Sequence, residues 1–383
     1  MMVKKIGMIG DGQLAQMTCQ AGQALGLTMS VFATDAQNPA ALVADHVYLG
    51  QLNDLDALIA FAKEVDVITY DTELLPIQAV RAMAKYAKAY PSPDLLYLAQ
   101  NRIRERAFLA QHDIPQPKVA PIEQARDLNE AIDQVGLPCV LKTAEQGYDG
   151  KGQAKIMSYE QAQAAYIALG EVPCTLEAWV DYEREMSVIV AGDQRGSYTT
   201  YAVIDNEHQD HILYRSTAPS TLPYAVQQEA IKIALTIAKA CQLVGLLTIE
   251  MFHTRDGRVL VNELAPRPHN SGHHTKLSAT TSQFAQLCRA ISGLPLGPTE
   301  QKPAVMINLL GDFFLSSKEK PYQQVGFTDD SDEESGVFFY GKKEARMGRK
   351  MGHVIATGAT QEIASLRAEQ RLRQLEERYR DDV

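Results

Sequence analysis

The sequence predicts an α/β protein with more than one domain, and two observations carry this prediction. Short apolar runs alternate with amphipathic segments over residues 3–70, which is typical of a parallel sheet with crossover helices. The chain has 383 residues. Chains of this length usually form more than one domain, because a single hydrophobic core stops growing at a smaller size. We therefore expect two or three domains, with ligands binding in the clefts between them.

The N-terminal region reads as a parallel βαβ unit. A strand over 3–9 is followed by the turn Gly10-Asp11-Gly12 and by a helix over 13–25. A strand over 28–32, a helix over 55–63 and a strand over 65–70 continue the alternation. Sequences that alternate in this way form parallel sheets.

The glycine turn offers one functional hypothesis. Gly10-x-Gly12-x-x-Ala15 after a strand resembles a dinucleotide-binding fingerprint, and Asp35 lies about where a ribose-binding acid is expected. The start of the following helix would also supply free amide donors to any other phosphate. A nicotinamide-dependent oxidoreductase is therefore one alternative, and it predicts no second nucleotide site in the chain.

The middle of the chain has a different pattern. A long amphipathic helix is predicted to begin near Asp94, and strands over 175–179, 185–191 and 197–203 suggest an antiparallel sheet. A helix over 225–243 follows, and a smaller tail domain begins after the Gly/Pro-rich segment 293–298.

A second nucleotide site is indicated by a lysine and a glycine loop. Lys142 ends a β-like run, and the loop Gly147–Gln153 follows closely. Its glycines let backbone amides approach phosphate oxygens, while Lys142 and Lys151 would neutralise them. The alternative is a surface hairpin with solvated lysines. Further along, the strand edge Glu177–Val180 would offer backbone groups to a base, and Glu185 a carboxylate to a ribose.

A candidate metal site lies in a predicted hairpin. The apolar runs 246–252 and 258–263 are joined through Asp256-Gly257, which favours a two-residue turn with both residues at positive φ. Arg255 then faces Arg258, and Glu250 faces Glu263. Opposed carboxylates repel unless a cation such as Mg²⁺ compensates them. The alternative is a solvated hairpin with two exposed glutamates, and a slip of one residue would separate the pair.

Composition narrows the class of protein. The chain is 45% hydrophobic and 22% charged with a net charge of −10, which is ordinary for a globular protein and argues against nucleic acid as a partner. No segment is apolar enough for a signal peptide or a membrane span. The five cysteines are widely spaced and predict reduced thiols in a cytoplasmic protein: Cys19, Cys139, Cys174, Cys241 and Cys288.

Together these motifs resemble the ATP-grasp family, and within it the carboxyaminoimidazole ribonucleotide synthetases of the PurK type. The segments Gly147–Gln153 and His269–His273 are the most specific. Two positions depart from the family pattern, Asp71 in place of Glu and Ala202 in place of Pro. The matching stretches span the chain: Ile9–Leu14, Gly147–Gln153, Asn206–His208, Val261–Thr275, Ser282–Phe284, Tyr340–Lys342 and Arg349–His353.

The resemblance implies an architecture and a reaction. It implies a Rossmann-like pre-ATP-grasp domain at 1–98, an ATP-grasp domain at 99–296 with a mobile glycine-loop subdomain at about 115–177, and a small C-terminal domain at 297–383. The reaction would be ATP- and bicarbonate-dependent carboxylation of the exocyclic amine of 5-aminoimidazole ribonucleotide, through carboxyphosphate, in purine biosynthesis. One or two Mg²⁺ ions and a homodimer are implied as well.

The resemblance also implies site residues, position by position. ATP would be surrounded by Arg102, Lys142, Gly147, Tyr148, Asp149, Gly150, Lys151, Gly152, Gln153, Glu177, Ala178, Trp179, Val180, Glu185, His208, Asn262 and Glu263, with Glu250 and Glu263 on Mg²⁺. The ribonucleotide would contact Gly12, Gln13, Tyr148, Asp149, Arg267, His269, Asn270, Ser271, Lys342 and Arg349. Catalytic roles would fall to Lys142, Asp149, Arg267 and His273.

Two questions stay open from the sequence. The general base is not distinguished among Asp149, His269, His273 and His274. The acceptor is also open, because another ATP-grasp ligase, such as a formate-dependent ribonucleotide formyltransferase or a biotin-dependent carboxylase subunit, would keep the ATP residues and change the acceptor pocket.

Overall fold

The computed structural model describes residues 4–145, 147, 151–315 and 330–381. The helices are α1 (Gln13–Ala24), α2 (Leu55–Ala62), α3 (Ile77–Met83), α4 (Pro93–Ala99), α5 (Arg102–Gln111), α6 (Leu128–Val135), α7 (Tyr159–Ala168), α8 (Tyr224–Ala240), α9 (Thr275–Ser278), α10 (Gln283–Ser292), α11 (Gly311–Leu315) and α12 (Gln361–Asp381). Short 3₁₀ turns occupy Ala125–Asp127 and Asn270–His274.

The strands are β1 (Lys5–Ile9), β2 (Thr28–Ala33), β3 (His46–Leu49), β4 (Val67–Tyr70), β5 (Lys88–Ala89), β6 (Val119–Ile122), β7 (Cys139–Thr143), β8 (Gln153–Ile156), β9 (Cys174–Ala178), β10 (Tyr182–Gly192), β11 (Tyr198–Thr200), β12 (Ile204–Gln209), β13 (Ile212–Ala218), β14 (Gly245–Thr254), β15 (Val259–Ala265), β16 (Ala304–Leu310), β17 (Asp330–Ser331), β18 (Ser335–Phe339) and β19 (Lys350–Thr357). Within the described residues they form three sheets.

The N-terminal sheet is parallel, with the order β3-β2-β1-β4-β5, and this confirms the predicted βαβ region. Its central strand β1 is almost fully buried, as expected for a parallel sheet covered on both faces. β1 lies between β2 and β4, so the glycine turn that follows it sits at the topological switch point. Ligand sites in open α/β sheets form at such points.

The second sheet has the order β6-β9-β7-β8 and is antiparallel. The third has the order β15-β14-β10-β12-β13-β16-β19-β18-β17, with β11 beside β10. The prediction of one antiparallel sheet through 175–203 was therefore wrong in one respect. β9 pairs in the small sheet, whereas β10 begins only four residues later and pairs in the large one.

The long helix predicted from Asp94 is in fact two helices. α4 starts behind Ser92, whose hydroxyl accepts a hydrogen bond from the Leu95 amide, and ends at Ala99. Asn101 then caps α5 by accepting from the Arg104 amide at 3.2 Å. This second cap places Arg102 at the first turn of α5, where its backbone amide donates to Ala144 O at 2.8 Å.

The C-terminal region continues the large sheet. β16 pairs with β13 on one side and with β19 on the other, and α12 packs on the same strands through Ala364 and Ala368. The tail is therefore joined to the central region by backbone hydrogen bonds. The pairing also brings Lys350, at the start of β19, to the central cleft. No described helix has both the length and the apolarity to cross a membrane.

Candidate active site

A cleft of about 1540 Å³ opens where the N-terminal sheet, the small sheet and the large sheet meet. Asp71 lines it from the first, Lys142 from the second and Glu263 from the third. The structure brings most of the predicted site residues to this cleft. They are Gln13, Arg102, Lys142, Gly147, Lys151, Gln153, Glu177, Ala178, Trp179, Val180, Glu185, His208, Glu250, Asn262, Glu263, Arg267, His269 and Asn270.

The hairpin turn differs from the one that the sequence predicts. Thr254 donates its amide to Arg258 O at 2.9 Å, so three residues lie in the loop instead of two. Gly257 has φ +84°, whereas Asp256 is not among the described residues with positive φ. This is the arrangement of a type I turn followed by a left-handed residue. The predicted pairing of Arg255 with Arg258 is therefore wrong, because Thr254 faces Arg258.

The predicted pair of carboxylates nevertheless forms, because a second irregularity restores the register. Met251 pairs with Val261, but Glu250 pairs with Glu263, so Asn262 is the extra residue of a β-bulge. The three-residue loop shifts β15 by one position, and the bulge shifts it back. Glu250 and Glu263 therefore share one face of the hairpin and both line the cleft.

Each of the two carboxylates already has a cationic or polar partner. Glu250 Oε1 lies 2.8 Å from His269 Nε2, and Glu263 Oε2 accepts from Arg102 at 2.9 Å. Burial alone would raise the pKa of Glu250, but the hydrogen bond and charge of His269, with His208 and Arg267 nearby, lower it to about 2. Glu250 is therefore ionised at neutral pH.

This donor set fits Mg²⁺. The ion usually takes one or two carboxylates and completes its octahedron with water and nucleotide phosphates, and the two opposed glutamates border a cleft wide enough for a nucleotide. Among the residues that the structure describes, no group of three or more His, Cys, Asp or Glu side chains is arranged to hold a metal ion.

The predicted phosphate lysine is held by a buried carboxylate. Lys142 Nζ donates to Glu177 Oε2 at 2.8 Å, and Glu177 is 2% exposed. Lys142 pairs with Thr175 across β7 and β9, so Glu177 is its diagonal neighbour on the same face. Burial opposes ionisation of Glu177, yet Arg106, Lys142 and Arg102 hold its pKa well below the ordinary value. Burial lowers the pKa of Lys142 despite this partner.

Sequence reasoning missed Arg106, Glu105 and Glu73. Arg106 is 3% exposed and forms a double hydrogen bond with Glu177 at 2.9 and 3.2 Å. Glu105 is 2% exposed, and burial raises its pKa to about 7 although Arg106 and Arg102 oppose the shift. The sequence signal that could have identified Arg106 and Glu105 is the dense run of charged residues over 102–106.

Arg267 is fixed by Glu73. Its Nη2 donates to Glu73 Oε1 at 3.0 Å, and its Nε donates to Glu73 Oε2. Burial would raise the pKa of Glu73, but the charge and hydrogen bonds of Arg267 lower it to about 2. The same pairing raises the pKa of Arg267 against its burial. The guanidinium therefore stays charged and oriented at the edge of the cleft.

The N-terminal glycine turn already holds a carboxylate. Gly12 N donates to Asp71 Oδ2 at 3.0 Å, and a β-carbon at Gly10, where φ is +106°, would lie 1.8 Å from Asp71 Oδ1. Burial raises the pKa of Asp71 to about 6. A pyrophosphate needs the space and the amides that Asp71 uses. The geometry thus disfavours the oxidoreductase alternative.

Cations converge at the C-terminal side of the cleft. Lys342 donates to Lys350 O at 2.7 Å, and Arg349 donates to Glu344 O at 2.8 Å. Burial lowers the pKa of Lys342 to about 7, and the charges of Arg349 and Lys350 add to this effect. Lys342 and Arg349 do not line the main cleft, but Lys350, which neighbours both, does.

The opposite side of the cleft carries groups suited to a nucleoside. His208 Nδ1 contacts Glu185 Oε2, and this contact raises the pKa of His208 against its burial. Lys155 Nζ lies 3.6 Å from the centroid of the Trp179 ring. Trp179, the one tryptophan of the chain, is 45% exposed.

Several predicted residues are not brought to the cleft. His273 is fully buried against Phe284, Tyr340 and His353, and burial lowers its pKa well below the ordinary value. This placement contradicts its predicted role as a base that meets substrate. His274 is also fully buried, and burial lowers its pKa to about 3.

The remaining predicted residues lie below the cleft, beside it or outside the described part of the chain. Ser271 lies beneath the cleft, where its hydroxyl is 2.9 Å from both Ser187 Oγ and His269 Nδ1. Gly12 and Gly152 contribute to loops beside the cleft and do not line it. The predictions for Tyr148, Asp149 and Gly150 lie outside the described residues.

Three protein-family models match the chain. The ribonucleotide synthetase preATP-grasp domain matches residues 2–100, and the ATP-grasp domain matches residues 107–284. The phosphoribosylaminoimidazole carboxylase C-terminal domain matches residues 304–367.

Individual proteins are similar over nearly the whole length. The N5-carboxyaminoimidazole ribonucleotide synthase of Bacillus subtilis (strain 168) is 38% identical over 350 residues, which cover 91% of this chain and 90% of that protein. A crystal structure of an ADP complex of purK, an N5-carboxyaminoimidazole ribonucleotide synthetase, is 36% identical with a TM-score of 0.87 over 96% of both chains. The Aspergillus clavatus N5-carboxyaminoimidazole synthase, crystallised with ADP and 5-aminoimidazole ribonucleotide, is 26% identical with a TM-score of 0.86 over 98% of this chain and 99% of that one.

Proposed function

The chain belongs to the N5-carboxyaminoimidazole ribonucleotide synthase family of ATP-grasp ligases, and on this premise we propose how its residues carry out the ATP-dependent carboxylation of 5-aminoimidazole ribonucleotide. The observation that carries the proposal is one cleft that joins three features. These are the Lys142–Glu177 pair, the opposed Glu250 and Glu263, and the cationic C-terminal edge at Lys350.

ATP would lie between the small and the large sheets. Lys142 and the glycine loop beside it would neutralise the phosphate oxygens, and Glu185 with His208 would face the ribose. Arg102 contributes a guanidinium whose Nη1 has no hydrogen-bond partner in the described structure although it is buried. A phosphate oxygen would satisfy this donor, since buried donors without partners are costly.

Mg²⁺ and bicarbonate complete the proposed reaction. Glu250 and Glu263 would hold one or two Mg²⁺ ions, which neutralise charge on the triphosphate when bound. Bicarbonate is a poor electrophile, so we propose that its oxygen attacks the terminal phosphoryl group to give carboxyphosphate and ADP. The carbon then passes to the exocyclic amine and phosphate leaves. Lys142 and Arg267 would orient the reacting oxygens by charge-assisted hydrogen bonds.

The acceptor would lie toward the N-terminal glycine turn, with its phosphate at the C-terminal edge. Gln13, Asn270 and Arg267 line this part of the cleft, and Lys342 and Arg349 supply positive charge. Of the three histidines considered as base, His269 is the one in the cleft, where it lies between Glu250 and Ser271. Asp149 stays the other candidate. A cytoplasmic homodimer stays a prediction from the sequence.

The proposed function predicts ADP release that depends on the acceptor. In a coupled assay with ATP, Mg²⁺ and bicarbonate, adding 5-aminoimidazole ribonucleotide should raise ADP release at least 10-fold over the rate without acceptor, because the acceptor completes the site. Glycinamide ribonucleotide with formate serves as the matched control acceptor and should leave the rate unchanged. Stimulation by the control alone would assign the chain to another ATP-grasp ligase.

The Lys342 ammonium predicts a pH dependence of acceptor binding. A group with a pKa of about 7 in the acceptor-free protein is protonated below that pH and neutral above it. The acceptor phosphate is anionic, so KM for the acceptor should rise as the pH increases from about 6 to about 8. Lys342→Arg should remove this rise because guanidinium stays charged.

Lys342→Met tests the same contact directly. It should raise KM for the acceptor by about 10-fold or more and leave KM for ATP within about 2-fold, since one charge-assisted hydrogen bond contributes about 1.5–3 kcal/mol. Lys343→Met is the neighbouring control, because Lys343 pairs with Asp35 at the surface. Equal effects of both variants would speak against the proposed phosphate site.

A further inference from the structure

Arg106 lies between the two sheets that supply opposite sides of the proposed ATP site. It is on α5, its side chain is 3% exposed, and it contacts both sheets at once. Toward the small sheet its Nε and Nη2 donate to Glu177 at 2.9 and 3.2 Å. Toward the large sheet its Nη2 donates to Asn262 O at 2.7 Å and its Nη1 to Val261 O at 3.3 Å.

Each contact adjoins a residue of the proposed site. Glu177 also accepts from Lys142 at 2.8 Å, so Arg106 and Lys142 share its negative charge. The carbonyls of Val261 and Asn262 belong to the β-bulge that places Glu263 opposite Glu250. A bulge leaves its extra residue without a ladder partner, and Arg106 satisfies the carbonyl of that residue.

The neighbouring residue reinforces the second contact. Glu105 Oε2 accepts from the Leu264 amide at 3.0 Å, directly after Glu263. Two consecutive residues of α5 thus hold β15 on both sides of the carboxylate. A planar guanidinium suits this arrangement because its five donors are rigidly arranged, whereas an ammonium has one nitrogen.

We propose that Arg106 is a positioning residue that keeps Lys142 and Glu263 in a fixed relative position. It does so by binding Glu177 and the bulge carbonyls at the same time. The proposal rests on the proposed function, in which Lys142 meets the phosphates and Glu263 the Mg²⁺. Arg106 itself contacts neither ligand. Its loss is expected to act on nucleotide affinity and on the Mg²⁺ requirement together.

Two variants separate the two contacts. Arg106→Met removes both and should lower kcat/KM for ATP by about 10–100-fold, the usual range for groups that orient metal ligands. Arg106→Lys keeps a charge for Glu177 but cannot reach both partners. The KM of this variant for ATP should lie within about 3-fold of the wild-type value. The Mg²⁺ concentration that gives its half-maximal rate should be at least about 3-fold higher than for the wild type.

A matched control and a binding readout make the test specific. Arg184→Met removes another arginine from a buried carboxylate, Asp205, at 2.9 Å, and it lies outside the cleft. Trp179 lines the cleft and is the one tryptophan of the chain, so its fluorescence reports ATP binding without turnover. The melting temperature of each variant is measured alongside.

The outcomes distinguish the inference from the function. Arg106→Lys with wild-type Mg²⁺ dependence in both turnover and Trp179 titrations would overturn the inference, and so would Arg106→Met with kinetics equal to Arg184→Met. If the wild-type protein binds ATP but the acceptor does not stimulate ADP release, the proposed carboxylation is wrong. The Trp179 titrations of ATP would still test the positioning role of Arg106 in that case. If Arg106→Met does not fold, Arg106→Lys alone decides.

Discussion

We expect Glu263→Gln to lower turnover by more than about 100-fold while the protein stays folded. Glutamine keeps the shape and an oxygen that accepts from Arg102, but it removes the negative charge that Mg²⁺ requires. Changes to groups that merely support metal ligands cost about 10–100-fold, and Glu263 is proposed as a ligand itself. The side chain is 36% exposed, so its neutralisation should disturb stability little.

Steady-state kinetics over a range of Mg²⁺ concentrations measures the effect. Glu207→Gln is the matched control, because Glu207 lies on β12, is paired with Arg215 at 3.8 Å and is half exposed outside the cleft. It should behave like the wild type. Near-normal turnover of Glu263→Gln at low Mg²⁺ would refute the metal role.

Lys142→Met should lower kcat by about 100–1,000-fold, the usual cost of removing one preorganised group that stabilises developing charge. Methionine fills the volume of the lysine stem without its charge. Glu177 would keep its double hydrogen bond with Arg106, so the fold should persist. KM for ATP should rise as well, because the lysine is expected to contact phosphate in the ground state.

The measurement combines single-turnover ADP formation with the Trp179 titration of ATP. Lys118→Met is the control, since Lys118 is an exposed lysine at the start of the same small sheet. Unchanged single-turnover rates in Lys142→Met would remove this lysine from phosphoryl transfer and would direct attention to Arg102.

The sequence predicted the pair of glutamates for a reason that was only half right. The Asp256-Gly257 signal identified the hairpin but not its three-residue loop, because Gly at the last loop position suits that loop equally well. The bulge at Asn262 has no local signal. It is contacted by Arg106 and Glu105, which approach from α5 more than 150 residues earlier in the chain.

Burial of charge was the main information that the sequence lacked. A short helix with three arginines and a glutamate in its first five residues looks solvated, since such residues are rarely buried unless they are paired. The Arg106 guanidinium donates hydrogen bonds to Glu177 and to two backbone carbonyls, and these acceptors come from strands of two different sheets. Only the tertiary structure places them around one guanidinium.

At the N-terminal glycine turn, the sequence predicted the local structure correctly but not the residue that occupies it. Its local pattern matches a dinucleotide fingerprint, and the strand, turn and helix are present as predicted. The residue that fills the turn is Asp71, which follows β4. Nothing within the motif itself distinguishes a turn that is open to phosphate from one that is closed by a neighbouring strand.

The junction of β13 with β16 has a consequence for biosynthesis of the protein. β16 lies between β13 and β19, so until residues 304–310 have been made, β13 has a bare row of amides and carbonyls. Exposed strand edges of this kind template pairing with other chains. The C-terminal segment that contains β16 therefore covers the edge of β13 and prevents it from pairing with other chains. Chains that terminate before residue 304 should be more prone to aggregate than the full-length chain.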